Sequence, residues 1–163
     1  MADIYSIEMV DIDGNKRSMS EFKGKVLLIV NVASNSEWTP QYKNMQTMYT
    51  RHKDRGFEIL AFPCGSFGRQ EQGTDAEIKG FCSSTYGITF PLFSKVSVKG
   101  KDIHPLFAWL TEKDTNPESA GKITQNFNKF LVNRKGAIVA RFDSKDDALG
   151  DKIPRVVGQA LDH

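Results

Sequence analysis

The chain is poor in cysteine: 163 residues hold only Cys64 and Cys82. Two thiols so far apart are too few for a disulfide framework and lack the paired spacing of a zinc site. The three histidines, His52, His104 and His163, are equally scattered. A marked excess of charge of one sign is also missing. The 22 basic and 20 acidic side chains leave a formal charge of +2, which excludes the strongly basic footprint of a nucleic-acid binder. No apolar run approaches the roughly 18 residues of a membrane span; the longest is Val26 to Val30. The start, Met1-Ala2-Asp3-Ile4-Tyr5-Ser6, has neither a basic segment nor an apolar stretch. A cytoplasmic protein without a membrane span is the expectation.

What is present is the composition of a globular chain, 39% hydrophobic and 26% charged. At this length one domain, residues 1–163, buries roughly 70% of its unfolded surface without any staple. Lys25 to Val32 is a nearly continuous β-branched run of the kind that forms a strand buried on both faces. Thr39-Pro40 predicts an N-cap followed by proline at the first helical position, with the helix running from Pro40 to Arg55. Phe57 to Phe62 is a second buried strand, which closes a βαβ unit and sets an α/β class.

Ahead of that unit, Asp13-Gly14 joins candidate strands Ile4–Met9 and Lys16–Met19 into a small hairpin that reads as a lid rather than core. Thr74-Asp75-Ala76-Glu77 is a capping box for a helix ending near Tyr86 at Gly87. Phe90–Val98 reads as an edge region broken by Pro91, and a helix follows from His104 to Lys113. Phe130–Val132 and Ala137–Phe142 flank a turn at Asn133–Gly136. A closing helix from about Asp147 to Leu161 is expected to bend or restart at Pro154. The order is thioredoxin-like: a central mixed sheet flanked by helices, with an N-terminal β-hairpin.

In such a sheet the binding crevice lies beyond the carboxyl ends of the strands, so the loops after Val32 and Phe62 are expected to meet. The first, Val32 to Tyr42, precedes a helix N-terminus that favours anionic groups and would acidify a thiol placed there.

Val32-Ala33-Ser34, Thr39-Pro40-Gln41-Tyr42, Phe62-Pro63-Cys64 with Phe67-Gly68 and Gln70-Glu71, Phe90-Pro91-Leu92-Phe93, His104-Pro105-Leu106 and Asn126 to Val132 together resemble the glutathione peroxidase family over residues 4–142. The resemblance implies thiol-dependent reduction of hydrogen peroxide and organic or lipid hydroperoxides. It implies no bound cofactor, and glutathione or a thioredoxin-type protein as reducing partner. The short segment from Leu110 to Ile123 resembles the monomeric class that prefers the latter.

Carried over by position, the family's reacting cysteine or selenocysteine falls on Ser36, its glutamine on Ser66, its tryptophan on Gln125 and its asparagine on Asn126, which alone matches. A serine hydroxyl has no oxidation ladder like that of a thiolate, so weak or absent peroxidase activity is the expectation. The alternatives are a non-catalytic protein that binds through the old crevice, or a serine standing in for a reacting Cys that traps an inert form. A serine-hydrolase role for Ser36 lacks a base, because only Glu37 is near in sequence. Cys64 reads as a packing residue, while Cys82 lies where some thioredoxin-dependent relatives hold a resolving thiol. A redox role for either is left open. Trp38, Phe67 and Phe127 are expected to pack near the crevice. Lys99, Lys101, Lys122, Lys129, Arg134 and Lys135 read as a solvated face.

Overall fold

Val26–Val32, strand β3, is buried at every position, because an unbroken apolar strand is stable only with both faces covered. In the computed structural model, which describes residues 3–68, 70–71 and 73–163, β3 lies at the centre of a four-stranded sheet. Its parallel neighbour is β4 (Phe57–Pro63), and β5 (Lys129–Val132) pairs with it antiparallel on the other side. β6 (Ile138–Phe142) pairs with β5 and completes the order β4-β3-β5-β6. A separate hairpin joins β1 (Glu8–Val10) and β2 (Lys16–Ser18).

Alternation along the strands divides the core in two. Val26, Leu28, Val30 and Val32 point to a cluster with Met45 and Met48 of α1 (Gln41–His52), Ile78 and Cys82 of α2 (Asp75–Tyr86), and Ile153 and Val157 of α4 (Lys152–Leu161). Leu27 and Ile29 point the other way, toward Leu106, Phe107 and Leu110 of α3 (Pro105–Thr111). That second cluster also takes in Ile4, Ile7, Met9, Met19 and Phe22. The N-terminal hairpin is therefore part of the core and not a lid. Its strands are shorter than their sequence suggested, since Ile4–Ser6 and Met19–Phe22 are 3-10 turns.

Local signals held where they were short-range. Thr74 and Glu77 make the reciprocal capping box of α2, and Gly87 ends the helix in the left-handed conformation at φ 60°. His104 opens α3, its Nδ1 accepting the Leu106 N–H at 3.1 Å. Two helix starts differ. Thr39 does not cap α1, because its hydroxyl accepts the Ser36 N–H at 2.8 Å and donates to the Ala33 carbonyl at 2.9 Å. It closes the preceding turn, and α1 begins at Gln41. α4 begins at Lys152 and not at Asp147, which puts Pro154 in its first turn, where its missing N–H breaks no helical bond. Among the described residues no helix is long and apolar enough to cross a membrane.

Candidate active site

The sheet brings the loop after β3, the loop after β4 and the turn before β5 to one end. In the first loop, the Ser36 N–H donates to Thr39 Oγ1, while Ser36 Oγ accepts the Trp38 N–H at 2.9 Å. The hydroxyl is half-buried, at the tight turn that feeds α1. In the last segment, Asn126 is fully buried. Its carboxamide nitrogen donates to Gln70 Oε1 at 2.7 Å, and its oxygen accepts from Asn31 Nδ2 at 3.3 Å.

Gln70 joins the two loops, since its backbone carbonyl accepts the Asn35 N–H at 3.0 Å. Ser66 does not take this place. Its hydroxyl accepts the Val98 N–H at 3.2 Å and lies 3.3 Å from Ser97 Oγ, on the side facing His104 and Lys95. Position in the loop explains the difference. Ser66 still runs beside the 96–98 edge, bridged there by Cys64 to Val96, and only four residues later does the chain turn back over Asn35.

Asn31 is the residue the sequence pattern concealed. It lies inside β3 among aliphatic neighbours, yet its Nδ2 also donates to the Gln125 carbonyl at 3.0 Å, and its own carbonyl accepts the Phe127 N–H at 2.6 Å. These bonds hold Phe127 at φ 64°, a conformation that non-glycine residues adopt sparingly and that costs on the order of 1–3 kcal/mol. The Gln125 side chain, by contrast, is exposed. With Trp38, Lys122, Asn128 and Lys145 it lines an open cleft of about 750 Å³. Phe127 is buried against Tyr42, with ring centroids 5.4 Å apart. Phe67 packs in the opposite cluster, so the three aromatics Trp38, Phe67 and Phe127 do not form one group.

Glu71 is buried beside Ser34. Burial raises its carboxyl pKa, and hydrogen bonds from Ser34 offset part of that rise. Both thiols are buried. Burial pushes Cys82 up to about 11, with the nearby Tyr42 hydroxyl relieving only part of it. Cys64 is also raised by burial, though the Ser66 side chain and N–H counter this. At neutral pH both are thiols rather than thiolates. In the folded protein each is expected to react with a disulfide reagent at least about tenfold more slowly than free cysteine, and both at full speed once the chain is unfolded. Rapid modification of either in the folded state would contradict their burial.

Lys129 departs furthest from the solvated role its sequence suggested. It is fully buried, with Nζ bonded to Gln41 Oε1 at 2.7 Å, the Ser144 carbonyl at 3.1 Å and the Asp143 carbonyl at 3.2 Å.

A mixed sheet with a polar crevice at the loop that leads into α1 defines a thioredoxin-like α/β protein. A solved thiol:disulfide interchange protein of the thioredoxin family from Chlorobium tepidum TLS shares this fold at 18% identity, with a TM-score of 0.62 over 98% of this chain and 96% of that one. Nearer structures are Trgpx in apo form, 31% identical with a TM-score of 0.78 over 99% and 97% of the two chains, and GPX1 of T. cruzi, 28% identical with a TM-score of 0.74 over 98% and 95%. The family model for glutathione peroxidase matches residues 4–111. The chain is 45% identical over 161 residues to the hydroperoxy fatty acid reductase gpx1 of Synechocystis sp., which covers 94% of this chain and 95% of the relative. It is 44% identical over 159 residues to the glutathione peroxidase-like peroxiredoxin gpx1 of Schizosaccharomyces pombe, covering 96% and 100%. The chain belongs to the glutathione peroxidase family.

Proposed function

We propose that residues 1–163 act as one peroxidase-type domain in which Ser36 stands at the reacting position, Asn126 is its retained polar partner, Gln70 stands in for the family's glutamine, and Gln125 has replaced an aromatic. On this reading the supporting glutamine is Gln70 and not Ser66, because Gln70 is the one that bonds Asn126 and the Ser36 loop. The chemistry of such a site is attack of a thiolate on the outer oxygen of a hydroperoxide. The O–O bond breaks, the alkoxide leaves and takes up a proton, and sulfur is oxidised to a sulfenic acid that glutathione or a thioredoxin-type protein then reduces.

Ser36 cannot take this step. Its oxygen has no accessible higher oxidation state, and it stays protonated because a helix terminus shifts such a group by only about 1 kcal/mol, under one pKa unit. The observation that carries the reading is the distribution of sulfur. The crevice loop holds a hydroxyl, and both thiols are buried and shifted upward. The protein as it stands is a poor peroxidase, monomeric and cytoplasmic, with the scaffold of the site intact. A second reading, a non-catalytic binding protein, is favoured by the 750 Å³ cleft beside Trp38 and Gln125.

The test is hydroperoxide consumption by the reduced protein supplied with thioredoxin or glutathione, followed by intact mass. The expected result is no turnover above buffer and no added oxygen. Rapid turnover would overturn the reading and make Cys64 or Cys82 the reacting group.

A further inference from the structure

A lysine with no exposed surface is costly unless each proton of its ammonium finds an acceptor. Lys129 meets that condition with three donors and three acceptors, Gln41 Oε1 and the carbonyls of Asp143 and Ser144. Those acceptors are not isolated. Gln41 Nε2 donates to the same Ser144 carbonyl at 2.6 Å, and Ser144 Oγ donates to the Asn126 carbonyl at 2.6 Å while accepting from Asn128 Nδ2 at 3.0 Å. The bonds run unbroken from the first residue of α1, five positions after Ser36, to the segment that presents Asn126.

We propose that Lys129 is a positioning residue of this site: its buried ammonium, bridging Gln41 to the 143–144 turn, holds the Ser36 loop in register with Asn126. An apolar residue of similar size would fill the space but leave Gln41 Oε1 and the Asp143 carbonyl unpaired, with only the Gln41–Ser144 bond still joining α1 to the turn. Only the catalytic consequence rests on the reading of Ser36 as the reacting position.

The groups that face the amine set its charge. From the segment after β6, Asp143, Asp146 and Asp147 favour the ammonium. Asp146 also meets Lys152 of α4 at 3.6 Å, and Asp147 accepts from Asn44 of α1 at 2.5 Å. α1 itself offers neutral Gln41, and Lys145 lines the cleft next to the turn. Arg141 of β6 is turned to the other face, over the Phe130 ring. Burial outweighs the carboxylates and lowers Lys129 to about 8. Above that pH the neutral amine has two protons for three acceptors, and the bridge slackens.

Global stability moves the other way. The folded pKa of about 8 lies below the unfolded value of about 10.4. Between the two the unfolded chain binds more protons, so the contribution of Lys129 to stability rises with pH across that window. Loosening of the site while the fold gains stability separates positioning from mere packing.

The experiment labels the two tryptophans with 5-fluorotryptophan and follows Trp38, whose backbone N–H is bonded to Ser36 Oγ, by fluorine NMR from about pH 7 to about pH 10. In the parent chain the Trp38 signal is expected to titrate with a midpoint of about 8. The titration should vanish in Lys129→Arg, whose guanidinium stays protonated, and the signal should be displaced at every pH in Lys129→Met. A flat Trp38 signal in the parent, or the same titration in Lys129→Arg, would overturn the proposal even if Lys129→Met does not fold. In a Ser36→Cys background, Lys129→Met is expected to lower the rate of reaction with peroxide by about 10²-fold, the usual penalty of a 1 Å misplacement. If Ser36→Cys itself does not react, the reading of Ser36 fails, and the fluorine titration still decides the role of Lys129.

Discussion

Replacing Ser36 by cysteine is expected to give this chain a thiol that reacts with hydroperoxides. The side chain at that position already receives the Trp38 N–H, a bond that favours the anionic form of sulfur. The 12-residue helix α1 starts a few residues on, and its positive end adds to the effect. Together they place the new thiol below the free-cysteine value of about 8.5. Gln70 and Asn126 are already bonded to each other, and Gln70 is bonded to the loop through its carbonyl. A well-placed donor at a developing charge contributes about 10²–10³-fold, so the rate constant with peroxide should exceed that of free cysteine by at least about 10²-fold. Stopped-flow peroxide consumption measures it, with a mass gain of one oxygen as the product. A rate equal to that of free cysteine would mean that Gln125 and the loop around Asn35 no longer support the chemistry, and the binding reading would take precedence.

The second large effect is on stability and comes from the opposite face of the sheet. Phe62 of β4 stacks on Phe93 with centroids 4.5 Å apart, and Phe107 meets it edge-on at 5.3 Å. All three rings are fully buried. Phe62→Ala removes the middle of this stack, and such truncations cost about 3–5 kcal/mol. For a chain of this size each kcal/mol lowers Tm by about 2–4 °C, which gives a fall of roughly 6–20 °C in a thermal melt. The ring also anchors β4 immediately before the loop that delivers Gln70. Loss of Phe62 should therefore slow Ser36→Cys as well, even at temperatures where the variant remains folded. A melt within 2 °C or so of the parent would show that the stack is replaceable.

By itself the sequence determined the central strands, the caps of α2 and α3, and the family. β3 and β4 are apolar at nearly every position, the Thr74–Glu77 pair closes within one helical turn, Gly87 takes the left-handed conformation that ends α2, and His104 caps α3 from the adjacent position. Each of these is settled by atoms a few residues apart, so periodicity and capping chemistry suffice to read them. The placement of Ser36 and Asn126 at the crevice end of the sheet was legible for the same reason, since each sits in a motif attached to a strand end.

Only the tertiary structure decided what meets across the loops. Ser66 and Gln70 lie in one irregular segment with no period, and which of them turns toward Asn126 depends on the 96–98 edge holding the first and Asn35 receiving the second. Asn31 lies within an aliphatic run, and its function comes from a turn 94 residues away that borrows its amide. Thr39 has the sequence of a helix cap, but a nearer carbonyl and N–H claim its hydroxyl. Lys129 bears the charge of a surface residue, yet it is buried because the turn after β6 offers two carbonyls and α1 offers a third oxygen. A polar side chain goes where its hydrogen bonds can be completed, and except for Thr39, whose partners lie in its own loop, the partners of these residues are supplied by the fold and not by neighbours in the sequence.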